Sequence, residues 1–207
     1  YLDIGANDPK LFSNTFMFYE LGHRGVLVEP NPSLSAKLEE ERPADIVLNA
    51  GIGIGGNASE ADFYLFSGIN NGLSTFSADN ARFMEEVGLD GMKRAVDRVL
   101  KMPLLDINDV IANNFTECPD IVSIDVEGWD LKILQSLDFD RYNPAVFCVE
   151  TLAYGDGGPY RVTEIYDFLE SKGYFPFKDT EANTIFVNRN LYDFYLYQSG
   201  RDRASVS

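Results

Sequence analysis

The sequence predicts an α/β fold: a mainly parallel, seven-stranded sheet with helices on both faces and an antiparallel hairpin at its C-terminal end. Three observations carry that expectation. Short apolar runs alternate with stretches of helical period through most of the chain, and such alternation builds a parallel sheet with helices on both faces. Gly and Pro stand at the joints, as at Gly5, Gly22, Pro30 and Gly51, where the backbone must turn or stop. The last two apolar runs, 173–178 and 184–188, are joined by a short turn. A parallel crossover needs a dozen residues or more, so these two strands pair antiparallel.

The elements read in order as follows. Tyr1 to Ile4 is a strand ended by Gly5. Ser13 or Asn14 caps a helix to about Leu21, closed by Gly22. Residues 25–29 are a second strand stopped by Pro30. Ser33 caps a helix to about Arg42, and 45–49 is a third strand leading into Gly51-Ile52-Gly53. Residues 60–66 read as an extra strand, 80–87 as a helix, 96–104 as extended and 107–115 as a helix. The strong pattern then returns: a strand at 120–125, a helix at 129–137, a strand at 145–150 and a helix at 162–172.

A chain of 207 residues, 45% hydrophobic, suits one domain spanning 1–207. It opens at Tyr1, without Met, straight into a strand, so an N-terminal segment is expected ahead of it. The stretch 67–102 interrupts the alternation and is expected to cover the substrate, because insertions beside strand ends carry specificity. Its aromatics, Phe76 and Phe83, suit core packing first and ring stacking second.

The formal net charge is -16. A surface that negative repels phosphate backbones and anionic lipid, which argues against nucleic acid and membrane partners and for a neutral small molecule. No apolar run approaches the ~20 residues that span a bilayer. Two cysteines make no disulfide framework, and Cys148 sits within an apolar strand where it packs. A cytoplasmic location is the expectation that follows.

Ligands of open α/β sheets bind at the carboxyl ends of the strands, where strand order reverses, so the strand-end residues hold the chemistry. The first strand ends in Asp3-Ile4-Gly5-Ala6-Asn7. Asp3 can receive an ammonium, Gly5 lets the backbone approach a ligand, and the helix starting near Ser13 and Asn14 can face a carboxylate. Taken alone, this run is equally a tight strand-to-helix turn. The second strand ends in Glu29, whose carboxylate can accept from both ribose hydroxyls. That marks a nucleoside without saying which one. The first turn separates the candidates. Asn7-Asp8-Pro9 stands where a dinucleotide site has its glycine fingerprint, and Asp8 repels a pyrophosphate. S-adenosylmethionine (SAM) has no phosphate and tolerates it.

After the third strand, Asn49 or a nearby backbone amide is placed to read a flat adenine beside small residues, and a plain Gly-rich loop explains the run equally well. The fourth strand ends in Asp125-Val126-Glu127-Gly128 and the fifth in Glu150-Thr151. Asp125, Glu127 and Glu150 are the catalytic candidates: acids so placed can orient an acceptor, take its proton or hold a metal. Trp129 opens the next helix and packs. His23, the only histidine, sits in a turn at the wrong end of the sheet, so the base must be a carboxylate, a tyrosine or water.

At this point the chain resembles the FkbM-type methyltransferases. The matching segments are Tyr1 to Pro9, Ser13 to Thr15, Phe18 to Glu20, Gly25 to Pro32, Ser74 to Phe76, Ile124 to Leu134, Gly173-Tyr174 and Asn183 to Val187, in the family's order. The resemblance implies a Rossmann-like class I methyltransferase fold that binds SAM and methylates oxygen, often on sugar hydroxyls of glycans or on natural products. It implies that Asp3, Gly5 and Asn7 line the methionine end, Glu29 the ribose, and Asp125 with Glu127 the reaction side. Two departures stand out. Relatives often carry a longer N-terminal segment with an acidic motif, and some place a histidine where this chain has Thr151.

Three other readings follow from the same residues. A hard oxygen-ligated ion such as Mg²⁺ is the only metal that carboxylates without histidine favour, and no metal ligands are assigned. A NAD-dependent oxidoreductase shares Glu29 and the fold but lacks the glycine fingerprint. A SAM-binding module that has lost catalysis keeps everything but turnover.

Overall fold

The computed structural model describes residues 1–55, 59–89, 91–155 and 158–199; residues 200–207 of the expected domain, and Asp90 of the covering stretch, lie outside the described residues. The chain runs through β1 (Leu2–Ile4), α1 (Phe16–Glu20), β2 (Val26–Val28), α2 (Pro32–Glu41) and β3 (Ile46–Leu48). It then makes an excursion: β4 (Gly51–Ile52), β5 (Glu60–Leu65), a 3-10 turn at Gly68–Leu73, α3 (Ala78–Glu86) and β6 (Arg98–Leu105). The remainder is α4 (Ile107–Asn114), β7 (Ile121–Ile124), α5 (Asp130–Ser136), β8 (Val146–Glu150), β9 (Leu152–Gly155), β10 (Gly158–Arg161), α6 (Thr163–Ser171), β11 (Tyr174–Asp179), β12 (Asn183–Asn188) and α7 (Arg189–Ser199).

The main sheet has seven strands in the order β11-β12-β8-β7-β1-β2-β3. β1 pairs in parallel with β2 and β7, β2 with β3, and β7 with β8. β12 runs antiparallel to both β8 and β11. Strand order reverses at β1, which places a ligand crevice over β1, β2 and β7.

Alternate residues of the strands feed two cores, because successive side chains point to opposite faces. Leu2, Ile4, Val26, Val28, Val122 and Ile124 pack with Ile107 and Ile111 of α4, Ile133 and Leu134 of α5, and Ile165 and Leu169 of α6. Tyr1, Leu27, Val47 and Ile121 pack with Leu38 of α2 and with Phe18 and Tyr19 of α1. Helices therefore cover both faces.

Local chemistry explains where boundaries differ from the sequence reading. α2 is capped by Asn31, whose side chain accepts from the Ser33 N–H at 3.0 Å, and not by Ser33. Pro32 fits the first helical position with its fixed φ, which moves the cap one residue earlier. α1 starts later than expected, with Thr15 and not Ser13 or Asn14 at its N-cap. Ser13 Oγ accepts from the Thr15 N–H at 3.4 Å and the Phe16 N–H at 3.2 Å, which holds 13–16 as a turn ahead of the helix.

The excursion that interrupts the alternation is larger than 67–102, running from β4 through β6. β5 and β6 pair antiparallel from Glu60↔Pro103 to Leu65↔Arg98, with β4 on the other side of β6. This small sheet has its own core of Phe63, Leu65, Phe76, Met102 and Leu104. Phe76 is thus a core residue, as expected. The β9–β10 ribbon and α7 were not anticipated. Arg161 ties the ribbon down, donating to Thr151 Oγ1 at 2.7 Å and to the Ala182 carbonyl at 2.9 Å. Cys118 and Cys148 are both free, and burial pushes the Cys148 thiol up to about 12, which leaves it a packing residue.

Behind β1 lies a buried ionic network. Arg42, with no exposed surface, donates to Asp45 at 2.9 Å, to the Tyr1 hydroxyl at 3.0 Å and to Thr15 Oγ1 at 3.1 Å. Removing one partner of a buried pair strands the other charge. Arg42→Ala is therefore expected to destabilise by about 3–5 kcal/mol in urea unfolding. A loss below ~1 kcal/mol would mean that water reaches Asp45 and the pair behaves as a surface one.

No helix among the described residues is long and apolar enough to cross a membrane.

Candidate functional site

A cavity of about 310 Å³ lies at the carboxyl ends of β1, β2 and β7, within the size range of small-molecule sites. It is built by three strand-end turns and roofed by the excursion, through Asn71 to Ser74 and Phe76.

The first turn is held by close backbone approach. Gly5 has φ +84, and a Cβ there would sit 1.9 Å from the Asp125 carbonyl oxygen. Gly5 lines the cavity, but what requires glycine is the neighbouring β7 turn and not a ligand. Asn7 also lies in the left-handed region, at φ 52. Its backbone N–H donates to Glu29 Oε2 at 2.8 Å, and the Asn31 N–H donates to Glu29 Oε1 at 2.8 Å. The Glu29 carboxylate is thus clamped between two loops at the end of β2, with lone pairs left over at the cavity wall. Burial pushes its acid up to about 7, against the pull of those two N–H donors.

Asp3 is buried in the same wall and accepts from Thr15 Oγ1 at 2.6 Å. Burial raises its acid, and Thr15 and Arg42 oppose that rise. Ser13 and Asn14 also line the cavity. The Asn14 amide donates to Ser123 Oγ at 3.1 Å and accepts from Asn183 Nδ2 at 3.2 Å.

The turn after β7 carries the acids. Asp130 shapes it, accepting from the Val126 N–H at 3.1 Å and the Gly128 N–H at 3.0 Å. Glu127 is forced to φ 57. Its carbonyl is fixed by the excursion, accepting from Thr75 Oγ1 at 2.8 Å and Asn80 Nδ2 at 2.7 Å. The result brings Asp125, Glu127 and Glu150 together: one oxygen from each lies within 4.8 Å of the others. All three are half-buried and line the cavity. Burial raises the Asp125 acid to about 7, with the charges of Asp130 and Asp3 adding to it. Burial and the Asp125 charge hold Glu127 and Glu150 well above the ordinary carboxyl range. Acids raised in this way in a cleft suit proton transfer, and an all-oxygen set also suits a hard cation.

A second cavity of about 80 Å³ shares Glu127 and Glu150 with the first and is flanked by Phe83 of α3 and Tyr154 of β9. Trp129 stacks on Phe76 with ring centroids 5.3 Å apart, so it packs the roof to the wall, as expected.

The structure therefore gathers Asp3, Gly5, Asn7, Ser13, Asn14, Glu29, Asp125, Glu127 and Glu150 around one cavity. It leaves out Asn49, which is exposed and whose amide donates to the carbonyls of Glu29 at 2.9 Å and Pro30 at 3.1 Å. Ala50 and Gly51 take the wall position instead. Asp8 is also outside, paired with Lys37 at 2.7 Å, so its charge does not face the cavity. Thr15, Arg42, Asp130 and Asn183 support the site and were not singled out from sequence. Thr15 and Asn183 fall inside the quoted motifs, but nothing in their spacing marks them as partners of Asp3 and Asn14.

Neither a curated protein nor a solved structure matches the chain. The family model described as Methyltransferase FkbM domain matches residues 3–176, a span that holds every candidate site residue and both arms of the strand-order reversal, and on that match the chain belongs to the FkbM methyltransferase family.

Proposed function

We propose that this methyltransferase domain moves the methyl group of SAM to a hydroxyl oxygen of a neutral acceptor, a sugar, glycan or natural product. One observation carries the reading: a single cavity has the clamped Glu29 carboxylate at one end and three convergent carboxylates at the other. The strand order and the closing hairpin fit a Rossmann-like class I methyltransferase arrangement. SAM supplies an electrophilic methyl on its sulfonium.

The chain's residues then divide the work. Glu29 accepts from the ribose hydroxyls with its free lone pairs. Ala50 and Gly51 leave room for the adenine. Asp3 faces the amino-acid ammonium, and Ser13 and Asn14 its carboxylate. Asp125, Glu127 and Glu150 orient the acceptor hydroxyl and take its proton as the C–O bond forms. Positioning of this kind is worth up to roughly 7–11 kcal/mol, and a positioned base adds ~10²–10⁴-fold.

Thermal unfolding with S-adenosylhomocysteine (SAH), and separately with NAD, tests the reading. SAH at 100 times its dissociation constant is expected to stabilise by about 2.7 kcal/mol, and NAD to leave the transition unmoved. A shift with NAD alone would overturn the proposal in favour of an oxidoreductase. A shift with neither would favour a module that has lost its cofactor.

A metal-assisted version is favoured by the proximity of the three acids. Asp125, Glu127 and Glu150 would hold Mg²⁺ through oxygen, and the ion would supply polarisation of the acceptor oxygen. Activity that survives chelation would remove it.

A further inference from the structure

Asp3 is 2% exposed and lines the main cavity. Among the described residues no lysine, arginine or histidine forms an ion pair with it. A buried carboxylate is ordinarily held by a cation in direct contact. Here the nearby guanidinium acts through a hydroxyl. Thr15, with no exposed surface, donates from Oγ1 to Asp3 Oδ2 at 2.6 Å, and the same oxygen accepts from Arg42 at 3.1 Å.

The direction of that relay is fixed by chemistry. A guanidinium only donates, and a hydroxyl has one hydrogen. The Thr15 oxygen is therefore the acceptor for Arg42, and its hydrogen goes to Asp3, the one acceptor bonded to it among the described residues. Asp3 Oδ2 is thereby kept as an acceptor, which favours the ionised form. Burial raises the Asp3 acid, and Thr15 and then Arg42 oppose that rise.

The relay also holds Arg42 back from the ligand. Arg42 bonds Asp45 and the Tyr1 hydroxyl directly and takes no part in the cavity wall. A direct pair with Arg42 would occupy the Asp3 carboxylate. Through Thr15 the charge is supported from behind, and the remaining lone pairs of Asp3 stay free for a cation arriving in the cavity.

We infer that Thr15 is a positioning residue for cofactor selection: it passes the support of Arg42 to Asp3, so that Asp3 meets the ammonium of the cofactor's amino-acid end as an unpaired anion. This rests on the SAM reading above. Thr15 thereby favours the whole cofactor over nucleosides that lack the amino group, without touching either.

The test compares two ligands by calorimetry: SAH, and its deamino analogue with hydrogen in place of the ammonium. The native chain is expected to prefer SAH. Thr15→Val keeps the shape and removes the hydroxyl, while Arg42 retains Asp45 and Tyr1. It is expected to lose roughly tenfold or more in SAH affinity and to hold the deamino analogue unchanged, since a hydrogen bond to a charged group is removed. Thr15→Ser restores the hydroxyl and is expected to recover the preference. Equal weakening of both ligands, or of neither, overturns the inference while leaving the cofactor reading intact, and so does a serine variant that behaves like valine. A native chain that binds neither ligand overturns the cofactor reading and this inference with it. A second measurement needs no substitution. The buried Thr15 hydroxyl proton of the native chain is expected to shift in its NMR resonance with SAH and not with the deamino analogue; an equal shift with both sinks the idea.

Discussion

Glu29→Ala is expected to lower SAH affinity by roughly 10²–10⁴-fold, the cost of two hydrogen bonds from ribose hydroxyls to a charged acceptor. Calorimetry reads it directly. The structure adds a complication and its control. The same carboxylate accepts from the Asn7 and Asn31 N–H groups, so alanine also frees both loops. Glu29→Gln separates the two roles. Its amide oxygen keeps one backbone N–H, its nitrogen cannot accept from the other, and one ribose hydroxyl loses its partner. Glutamine is therefore expected to fall between native and alanine in both stability and affinity. Normal SAH binding by the alanine variant would show that Glu29 holds only the loops, and the ribose assignment would be wrong.

The sheet was legible because its signals are local. Apolar runs of strand length, Gly and Pro at the joints, and a tight final turn are each set by a few neighbouring residues. Strand-end acids were legible for the same reason: the residue closing a parallel strand faces the crevice wherever the strand lies. What was not legible depends on partners distant in sequence. Asn49 looked free to read a base, but its amide is taken by carbonyls some twenty residues upstream. Thr15 reaches Asp3, and Arg42 reaches Thr15, only after β1 and α2 have packed. Asn183 meets Asn14 across 169 residues. The β9–β10 ribbon was missed because Gly155, Gly158 and Pro159 lie within its strands, residues that weaken a strand reading, and Arg161 ties it down by bonding to distant carbonyls.

Glu127→Gln is expected to make the ligand-free chain more stable at pH 8 and far less active. Burial first, then the charges of Asp125 and Asp130, hold the Glu127 acid well above the ordinary carboxyl range. A group whose acid is raised on folding contributes stability that is full below its unfolded value and is lost as pH rises through its folded value. Asp125 and Glu29, each pushed up to about 7, behave the same way. The native ligand-free chain should thus lose stability from these groups as pH climbs from about 4 through 7 and beyond. Glutamine carries no charge, so the gap between variant and native should be widest at pH 8 and close towards pH 4, as read by thermal unfolding. Turnover should drop by ~10²–10⁴-fold while SAH binding survives if, as proposed, Glu127 serves the acceptor; it also lines the second cavity, with Phe83 and Tyr154. Such a trade is the mark of a group kept for chemistry at the expense of the fold. A variant that is no more stable at pH 8 would mean that the acids are already neutralised in the free protein. A variant that is more stable and fully active would move the base to Asp125 or Glu150, the two carboxyls whose oxygens lie within 4.8 Å of it.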